Sequence, residues 1–113
     1  MLNKCSGSIT IENLDVCSLV KMTGFVDAAL APQLREAFDK VLAHPYKHVV
    51  LDFSETTDLD TSGVGAIVYL FKRLHHQGLT LEFIGLQRQP LRKIRKLHLD
   101  AVIKMTPKVH RPG

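Results

Sequence analysis

The residues with the clearest chemical potential are crowded into one short stretch, "DLDTSGVG", directly before an apolar helical pattern. A Ser or Thr at the start of a helix can accept a hydrogen bond from a free backbone N–H. Glycine leaves the first turn uncovered by side chains, so another molecule can approach it closely. The stretch therefore combines carboxylates, hydroxyls and bare backbone, contributed by Asp58, Asp60, Thr61, Ser62, Gly63 and Gly65.

Two interpretations of this stretch are open on spacing alone. In the structural one, Ser62 caps a helix and the glycines allow tight packing. In the functional one, Ser62 is a phosphoacceptor, because the positive end of a helix dipole and its free N–H groups tolerate an anion well. A phosphate would add about −1.5 to −2 charges. Beside Asp58 and Asp60 it would make a strongly negative patch, from which a docked partner would be repelled.

Other catalytic and metal chemistry is not predicted. The sequence has no GxxxxGK[ST] loop, no GxSxG elbow and no evident base that would make Ser62 a nucleophile, so we do not expect an enzyme or a cofactor. His75 and His76 are adjacent and do not share a helix face, as HExxH ligands would. Cys5 and Cys17 are twelve residues apart, which indicates reduced thiols and no metal site.

The positive charge of the chain is concentrated near its C-terminus. The formal net charge is +4, yet residues 88–113 hold eight basic residues and one acidic residue, for a net of +7. Residues 1–87 hold seven basic and ten acidic residues, for a net of −3. Arg92, Lys93, Arg95 and Lys96 are open to three interpretations: a solvated helix face, a contact for an acidic partner or, less readily, a nucleic-acid contact. No aromatic residues are interleaved for base stacking, so nucleic-acid binding is not expected.

The first half of the chain predicts an edge hairpin, a helix and a buried strand. "SITIEN" and "VCSLVKMTG" alternate as strands do, over roughly Ser8 to Met22. Helical spacing runs from Leu30 to Leu42, and His44-Pro45 ends that helix. The apolar run from His48 to Phe53 predicts a strand buried on both faces, followed by a polar loop. A second helix is expected to begin at Thr61 or Ser62 and to end before Gly78.

The second half predicts a strand in "LTLEFIG", a third helix in "QPLRKIRKL", a short strand in "AVIKM" and a loose tail, "TPKVHRPG". The expected stripe of the third helix is Leu91, Ile94 and Leu97. Strands that alternate with helices predict an α/β fold with a mostly parallel sheet, an N-terminal antiparallel edge hairpin and helices packed on the sheet. Binding sites of such folds lie in the loops after the strands, where the Ser62 stretch falls.

The length of 113 residues predicts one domain over 1–113, with a core at about 8–105. The N-terminus has no apolar segment typical of a secretory signal, and no run approaches the roughly 18 apolar residues that would span a bilayer. We therefore expect a cytoplasmic protein that does not insert into a membrane.

Three segments together resemble the STAS domain, in particular bacterial anti-anti-sigma factors (anti-sigma factor antagonists). "LDFSETTDLDTSGVGAIVYLFKRL" is similar to the central signature, in which a run matching Asp60 to Gly65 opens a helix after a buried strand. "MTGFVDAALAPQLREAF" places Gly24 and Asp27 on a Gly-x-x-Asp motif. "GLTLEFIGLQRQPLRKIRKLHLDAVIKM" is similar to the strand-helix-strand ending. One departure is His98-Leu99, where the family often has Gly-Leu. The resemblance implies a STAS-like fold.

The resemblance also implies a function. Ser62 would be phosphorylated by a partner serine kinase of the GHKL type that doubles as an anti-sigma factor, with Thr61 as the second choice. Asp27 and Asp60 would shape the partner-binding surface, and Gly63 and Gly65 would admit the partner's backbone. The unphosphorylated form would bind the partner, phosphorylation would release it, and a cognate phosphatase would reset the switch. The alternative within the family is an unphosphorylated scaffold subunit of a membrane-transport complex.

Overall fold

A computed structural model describes residues 7–14, 17–43 and 48–106 and confirms the predicted α/β fold. No helix in these ranges is both long enough and apolar enough to cross a membrane. The elements follow in the order β1 (Ser8–Asn13), β2 (Cys17–Val26), α1 (Ala31–Ala43), β3 (His48–Leu59), α2 (Thr61–His76), β4 (Thr80–Ile84), α3 (Arg88–Lys96), a 3₁₀ turn (Leu99–Ala101) and β5 (Lys104–Thr106).

The five strands form one sheet in the order β1-β2-β3-β4-β5. β1 pairs antiparallel with β2, as the predicted edge hairpin requires, and every later pair is parallel. Each parallel pair is joined through a helix, because parallel neighbours need a crossover. The carboxyl ends of β2, β3 and β4 therefore lie at one edge of the sheet, and the turns that start α1, α2 and α3 meet there.

The three helices and one face of the sheet share a single core. Along β2, every second residue from Ser18 to Val26 is buried, and the residues between them are partly exposed. The apolar members of the buried set join side chains from all three helices in one cluster, which includes Phe38, Ile67 and Ile94. The rings of Phe53 and Phe83 meet edge to face there, with centroids 5.1 Å apart. The opposite face of the sheet remains partly exposed, as the ion pair of Lys21 and Glu55 shows.

The predicted polar loop after Phe53 is wrong, because β3 continues to Leu59. β3 leaves β4 after the pair of Asp52 and Ile84, yet it stays paired with β2 as far as the pair of Val26 and Leu59. Pairing with β2 supplies hydrogen-bond partners for the backbone of this polar segment. Two shifts in register accommodate the additional residues of β3. The hydroxyl of buried Thr56 donates to the Met22 carbonyl at 2.8 Å, which allows a polar side chain in this stretch.

The C-terminal elements are shorter than predicted. Leu97 does not join the buried stripe of α3 but is 45% exposed, because the helix ends at Lys96. The chain then turns through His98, which has a left-handed backbone with φ of 60°, a conformation that glycine adopts at less cost. The last strand starts only at Lys104. The predicted helix end at His44-Pro45, Cys5 and the tail beyond Thr106 lie outside the described residues.

Candidate functional site

Asp60, and not Ser62, caps α2. Its backbone is extended, with φ −102° and ψ 179°, while Thr61 already belongs to the helix. The Asp60 carboxylate accepts the Gly63 N–H at 3.1 Å, and the Asp60 carbonyl accepts the Val64 N–H at 3.0 Å. A cap needs a non-helical backbone with its side chain turned back on the first turn, and Asp60 meets that condition. The expectation that Ser62 is the cap is therefore corrected, and Ser62 is the second residue of the helix.

Ser62 and Thr61 are exposed at the start of α2. Neither hydroxyl is hydrogen-bonded to any residue within the described ranges. Their backbone N–H groups belong to the first turn of the helix, where N–H groups have no partner inside the helix. Ser62 thus presents a hydroxyl to solvent on a fixed backbone, at the positive end of a sixteen-residue helix.

The two glycines of the motif have different surroundings. Gly63 is buried, and a Cβ atom placed on it would lie 2.7 Å from Val26 Cγ1 and 2.8 Å from the Val26 carbonyl oxygen. Gly63 is therefore required for the close packing of α2 on the end of β2. Gly65 is exposed, and a Cβ atom there would meet nothing within 4 Å. Packing accounts for Gly63 but not for Gly65, which leaves bare helix one turn from Ser62.

Asp27 lies beside this motif and shapes the turn into α1. Its carboxylate accepts the N–H groups of Ala29 and Leu30 at 3.1 and 3.2 Å. The Asp60 N–H donates to the carbonyl of Val26 at 3.1 Å, so the residue before Asp27 is bonded directly to the cap of α2. The structure thus brings the predicted set together at one edge of the sheet: Asp27, Asp60, Thr61, Ser62, Gly63 and Gly65.

Asp58 does not share the surface of Ser62. It pairs with Phe25, whereas the next residue, Leu59, pairs with Val26, is buried and lies against the start of α2. Successive side chains of a strand point to opposite faces of the sheet. Asp58 therefore projects on the face away from the helices, and the expected contribution of Asp58 to a patch around Ser62 is wrong. Asp60 is the carboxylate that accompanies the hydroxyls.

Gln89 supports the site and was not predicted from the sequence. Its side-chain oxygen accepts the Leu59 N–H at 2.8 Å, and its side-chain nitrogen donates to the Leu59 carbonyl at 3.0 Å. These bonds cover the edge of β3 that β4 no longer reaches. A glutamine in a helix is unremarkable in a sequence, and its partner is thirty residues away, so no local pattern could reveal the contact.

The arrangement presents a hydroxyl that no described side chain contacts by a hydrogen bond. The carboxylate closest in sequence, Asp60, is engaged by the Gly63 N–H. Within residues 7–14, 17–43 and 48–106, no three His, Cys, Asp or Glu side chains are grouped in a way that could hold a metal ion. An exposed hydroxyl on the first turn of α2 is open to docking of another molecule and to modification.

Comparison with known proteins agrees with this architecture. The family model described as the STAS domain matches residues 8–111. The fold is also similar to that of an anti-sigma factor antagonist from Mycobacterium paratuberculosis, with a TM-score of 0.85 and 23% identity over 92% of this chain and 88% of the other. A putative anti-sigma factor antagonist from Thermotoga maritima gives a TM-score of 0.80 at 18% identity, over 89% and 87% of the two chains.

A third similar structure is that of the Bacillus cell fate determinant SpoIIAA in its phosphorylated form. It has a TM-score of 0.74 and 13% identity over 91% of this chain and 93% of that one. These structures share the fold over nearly the full length of both chains, and the family model covers all the described strands and helices from β1 to β5. The chain belongs to the STAS domain family.

Proposed function

We propose that this STAS domain is a phosphorylation-controlled protein-binding switch of the anti-sigma factor antagonist type. The unphosphorylated form binds a serine kinase of the GHKL type that also acts as an anti-sigma factor. Phosphorylation of Ser62 releases that partner, and a cognate phosphatase restores binding. Thr61 is the second candidate for the phosphate. The switch operates in the cytoplasm, where such a kinase has access to ATP.

One observation carries the proposal: Ser62 is exposed on the rigid first turn of α2, with bare backbone at Gly65 one turn further on. The Asp60 cap and the packing of Gly63 against Val26 fix the position of this turn. A partner can therefore approach the helix start closely, and the backbone that carries the hydroxyl has a defined position. Neither Ser62 nor Gly65 is needed for packing, which is why a function for them is the better explanation.

A phosphate on Ser62 would change the surface more than the fold. Anions are tolerated at the N-terminus of a helix, because the dipole and the free N–H groups favour negative charge. The added charge of about −1.5 to −2 would stand beside the Asp60 carboxylate. A partner that had buried this surface would then have to desolvate a concentrated negative charge, so its affinity would fall.

The similar structures provide a precedent for a phosphorylated protein with this fold. SpoIIAA from Bacillus, which shares this fold, exists in a phosphorylated form. The neighbours from Mycobacterium paratuberculosis and Thermotoga maritima are an anti-sigma factor antagonist and a putative one. A switch built on the same fold, with a free hydroxyl at the start of α2, is the function that best fits this chain.

The test is partner capture by two variants of Ser62. Immobilised Ser62→Ala protein is expected to retain a GHKL-type kinase from a lysate of the source cells with magnesium ATP, and Ser62→Asp is expected to lose it. Lys72→Ala, at an exposed position of α2 outside the predicted site, is the control and should behave as wild type. Bound proteins are identified by mass spectrometry. Equal capture of the kinase by both Ser62 variants would refute the switch, and equal capture of a transport ATPase would favour the scaffold role.

A further inference from the structure

We infer that α3 carries a second docking surface, which binds an acidic surface of the partner protein. This surface, the basic face, consists of Arg88, Arg92, Lys93, Arg95 and Lys96. The inference rests on the proposed function for the identity of the partner, and it adds the chemistry of the partner's contact region. In this proposal, α3 supplies the electrostatic attraction that brings the two proteins together, and Ser62 controls their release.

The cations of the basic face are not neutralised by the described parts of the chain. Four of the five are exposed and Lys93 is partly exposed. The ion pairs between described residues are those of Lys21 with Glu55 and of His48 with Glu82, and neither involves α3. Asp100 is the one acidic residue between 88 and 106, against six basic residues. Residues 88–96 alone hold five basic residues and no acidic one, so five positive charges are available to a ligand.

The basic face is held in a fixed orientation. Pro90 and Ile94 are buried, and Ile94 belongs to the common core. The two hydrogen bonds between the Gln89 side chain and the Leu59 backbone hold the first turn of α3 against the end of β3. The helix backbone is therefore ordered before binding, and only the exposed arginine and lysine side chains lose freedom when a partner binds.

The basic face begins at the turn of α3 that is hydrogen-bonded to the strand end before the Ser62 site. Arg92, Arg95 and Lys96 have the i, i+3, i+4 spacing of a single helix side, and Arg88 precedes them with a left-handed backbone of φ 54°. Lys93 lies four residues after Gln89. It is therefore one helical turn further along the same side of α3, the side on which Gln89 is bonded to the end of β3. Leu59, to which Gln89 is bonded, directly precedes the Asp60 cap. A partner seated on the Ser62 site thus has the basic face at its border.

A protein is favoured over a nucleic acid or a membrane surface. Residues 88–106 contain no Phe, Tyr or Trp to stack on bases or to anchor at a lipid interface. The apolar side of α3 is already used, because Ile94 is buried within the protein. Three of the five cations are arginines, the charged residue that protein interfaces favour. Continuity with a surface proposed to dock a kinase points to the same partner.

The basic face would act mainly on the rate of association. Complementary charges around an interface steer the encounter and set its salt dependence more than they raise final affinity. Association should therefore slow steeply with added salt, since exposed charges are screened within about 8 Å at physiological ionic strength. Ser62 would still decide whether the complex persists.

The experiment measures binding of the purified chain to poly-L-glutamate, a plain acidic polypeptide, by titration at low and physiological salt. Arg92→Glu/Arg95→Glu is compared with Lys40→Glu/Lys72→Glu, which makes the same change in net charge at exposed positions on α1 and α2. We expect the α3 variant to bind at least about tenfold more weakly than wild type and the control variant to stay close to wild type. Arg92→Gln/Arg95→Gln, checked for native circular dichroism, gives an intermediate loss.

Three outcomes would overturn the inference: equal weakening of both charge-reversal variants, unchanged binding of the α3 variant, or tighter binding of wild type to phosphatidylserine vesicles or duplex DNA. The first would mean that only net charge matters. The assay does not depend on phosphorylation of Ser62. Failure of the basic face and failure of the switch are therefore separately observable, the latter through the Ser62 variants.

Discussion

The side-chain amide of Gln89 takes the place of a neighbouring strand for the backbone of Leu59. It accepts the Leu59 N–H at 2.8 Å and donates to the Leu59 carbonyl at 3.0 Å. β4 has already ended at this level of the sheet, since its last pair with β3 is Asp52 with Ile84. One side chain from α3 thus anchors the strand end from which Asp60 and Ser62 follow.

Replacing Gln89 by Ala should loosen that strand end. Two hydrogen bonds are lost, and we expect the free energy of unfolding to fall by about 1–3 kcal/mol. Amide hydrogen exchange at Leu59 should accelerate more than exchange in the core of β3. Gln87→Ala is the control, because its contact to the Ser54 carbonyl is long, at 3.4 Å. Similar effects of the two substitutions on Leu59 exchange would show that the bonds of Gln89 do not hold the site.

Gly63 and Gly65 should respond to alanine in opposite directions. Gly63→Ala forces a Cβ atom to within 2.8 Å of the Val26 carbonyl oxygen, and we expect a loss of about 1–3 kcal/mol in urea unfolding. Gly65→Ala meets no atom within 4 Å, so it should gain about 0.5–1 kcal/mol from helix propensity. Destabilisation by Gly65→Ala would contradict the view that this glycine is unneeded for packing. A more stable Gly65→Ala protein should still capture the kinase less well.

Removal of the Asp60 side chain should destabilise the first turn of α2. Asp60→Ala loses the acceptor for the Gly63 N–H, and helix caps of this kind contribute about 0.5–2 kcal/mol. Asp60→Asn retains an acceptor and should keep most of that stability. Asp58→Ala is the control, because Asp58 lies on the other face of the sheet. Thermal and urea unfolding report the differences. A larger loss in Asp58→Ala than in Asp60→Ala would contradict the assignment of the cap.

The stability of the fold should decline in acid partly through Glu82. Its partial burial alone would raise the pKa of the carboxyl. Hydrogen bonds from Thr106 at 2.6 Å and His48 at 2.9 Å, with the nearby Lys104 charge, outweigh that effect and hold the pKa below the ordinary value of 4.5. Because the pKa is lower in the folded state, the stabilisation is present above the unfolded value and is lost as the pH falls through the folded one.

Urea midpoints at a series of pH values below about 5 test this linkage. Glu82→Gln should unfold with a shallower pH dependence in that window than wild type does. Glu36→Gln, at an exposed position on α1, should follow the wild-type curve. Coincident slopes for Glu82→Gln and wild type would remove Glu82 from the account of acid unfolding.

The sequence was sufficient for the elements that have a strong local pattern. The stripe of α1 and the apolar run that begins β3 follow directly from residue spacing, and the structure places Leu34, Phe38 and Leu51 in the core. The extension of β3 to Leu59 could not be foreseen, because its polar residues form a strand only through pairing with β2. Long-range pairing of this kind leaves no trace in local periodicity.

The candidate site was predictable in its residues but not in their roles. Asp and Ser are both good helix caps, so composition could not decide between Asp60 and Ser62. The strand register alone places Asp58 on the far face, and that register depends on irregular pairing between β2 and β3. The contact of Gln89 with Leu59 joins elements thirty residues apart. The motif could be identified from the sequence, and the structure shows which of its residues are packed in the protein and which are exposed.

The most direct test of the central claim is the intact mass of the protein after incubation with source-cell lysate and magnesium ATP, followed by mapping of the modified residue. Wild type is predicted to gain one phosphate, located on Ser62, and Ser62→Ala to gain none. A phosphate on another residue, or none at all from a lysate shown to contain active kinases, would contradict the account.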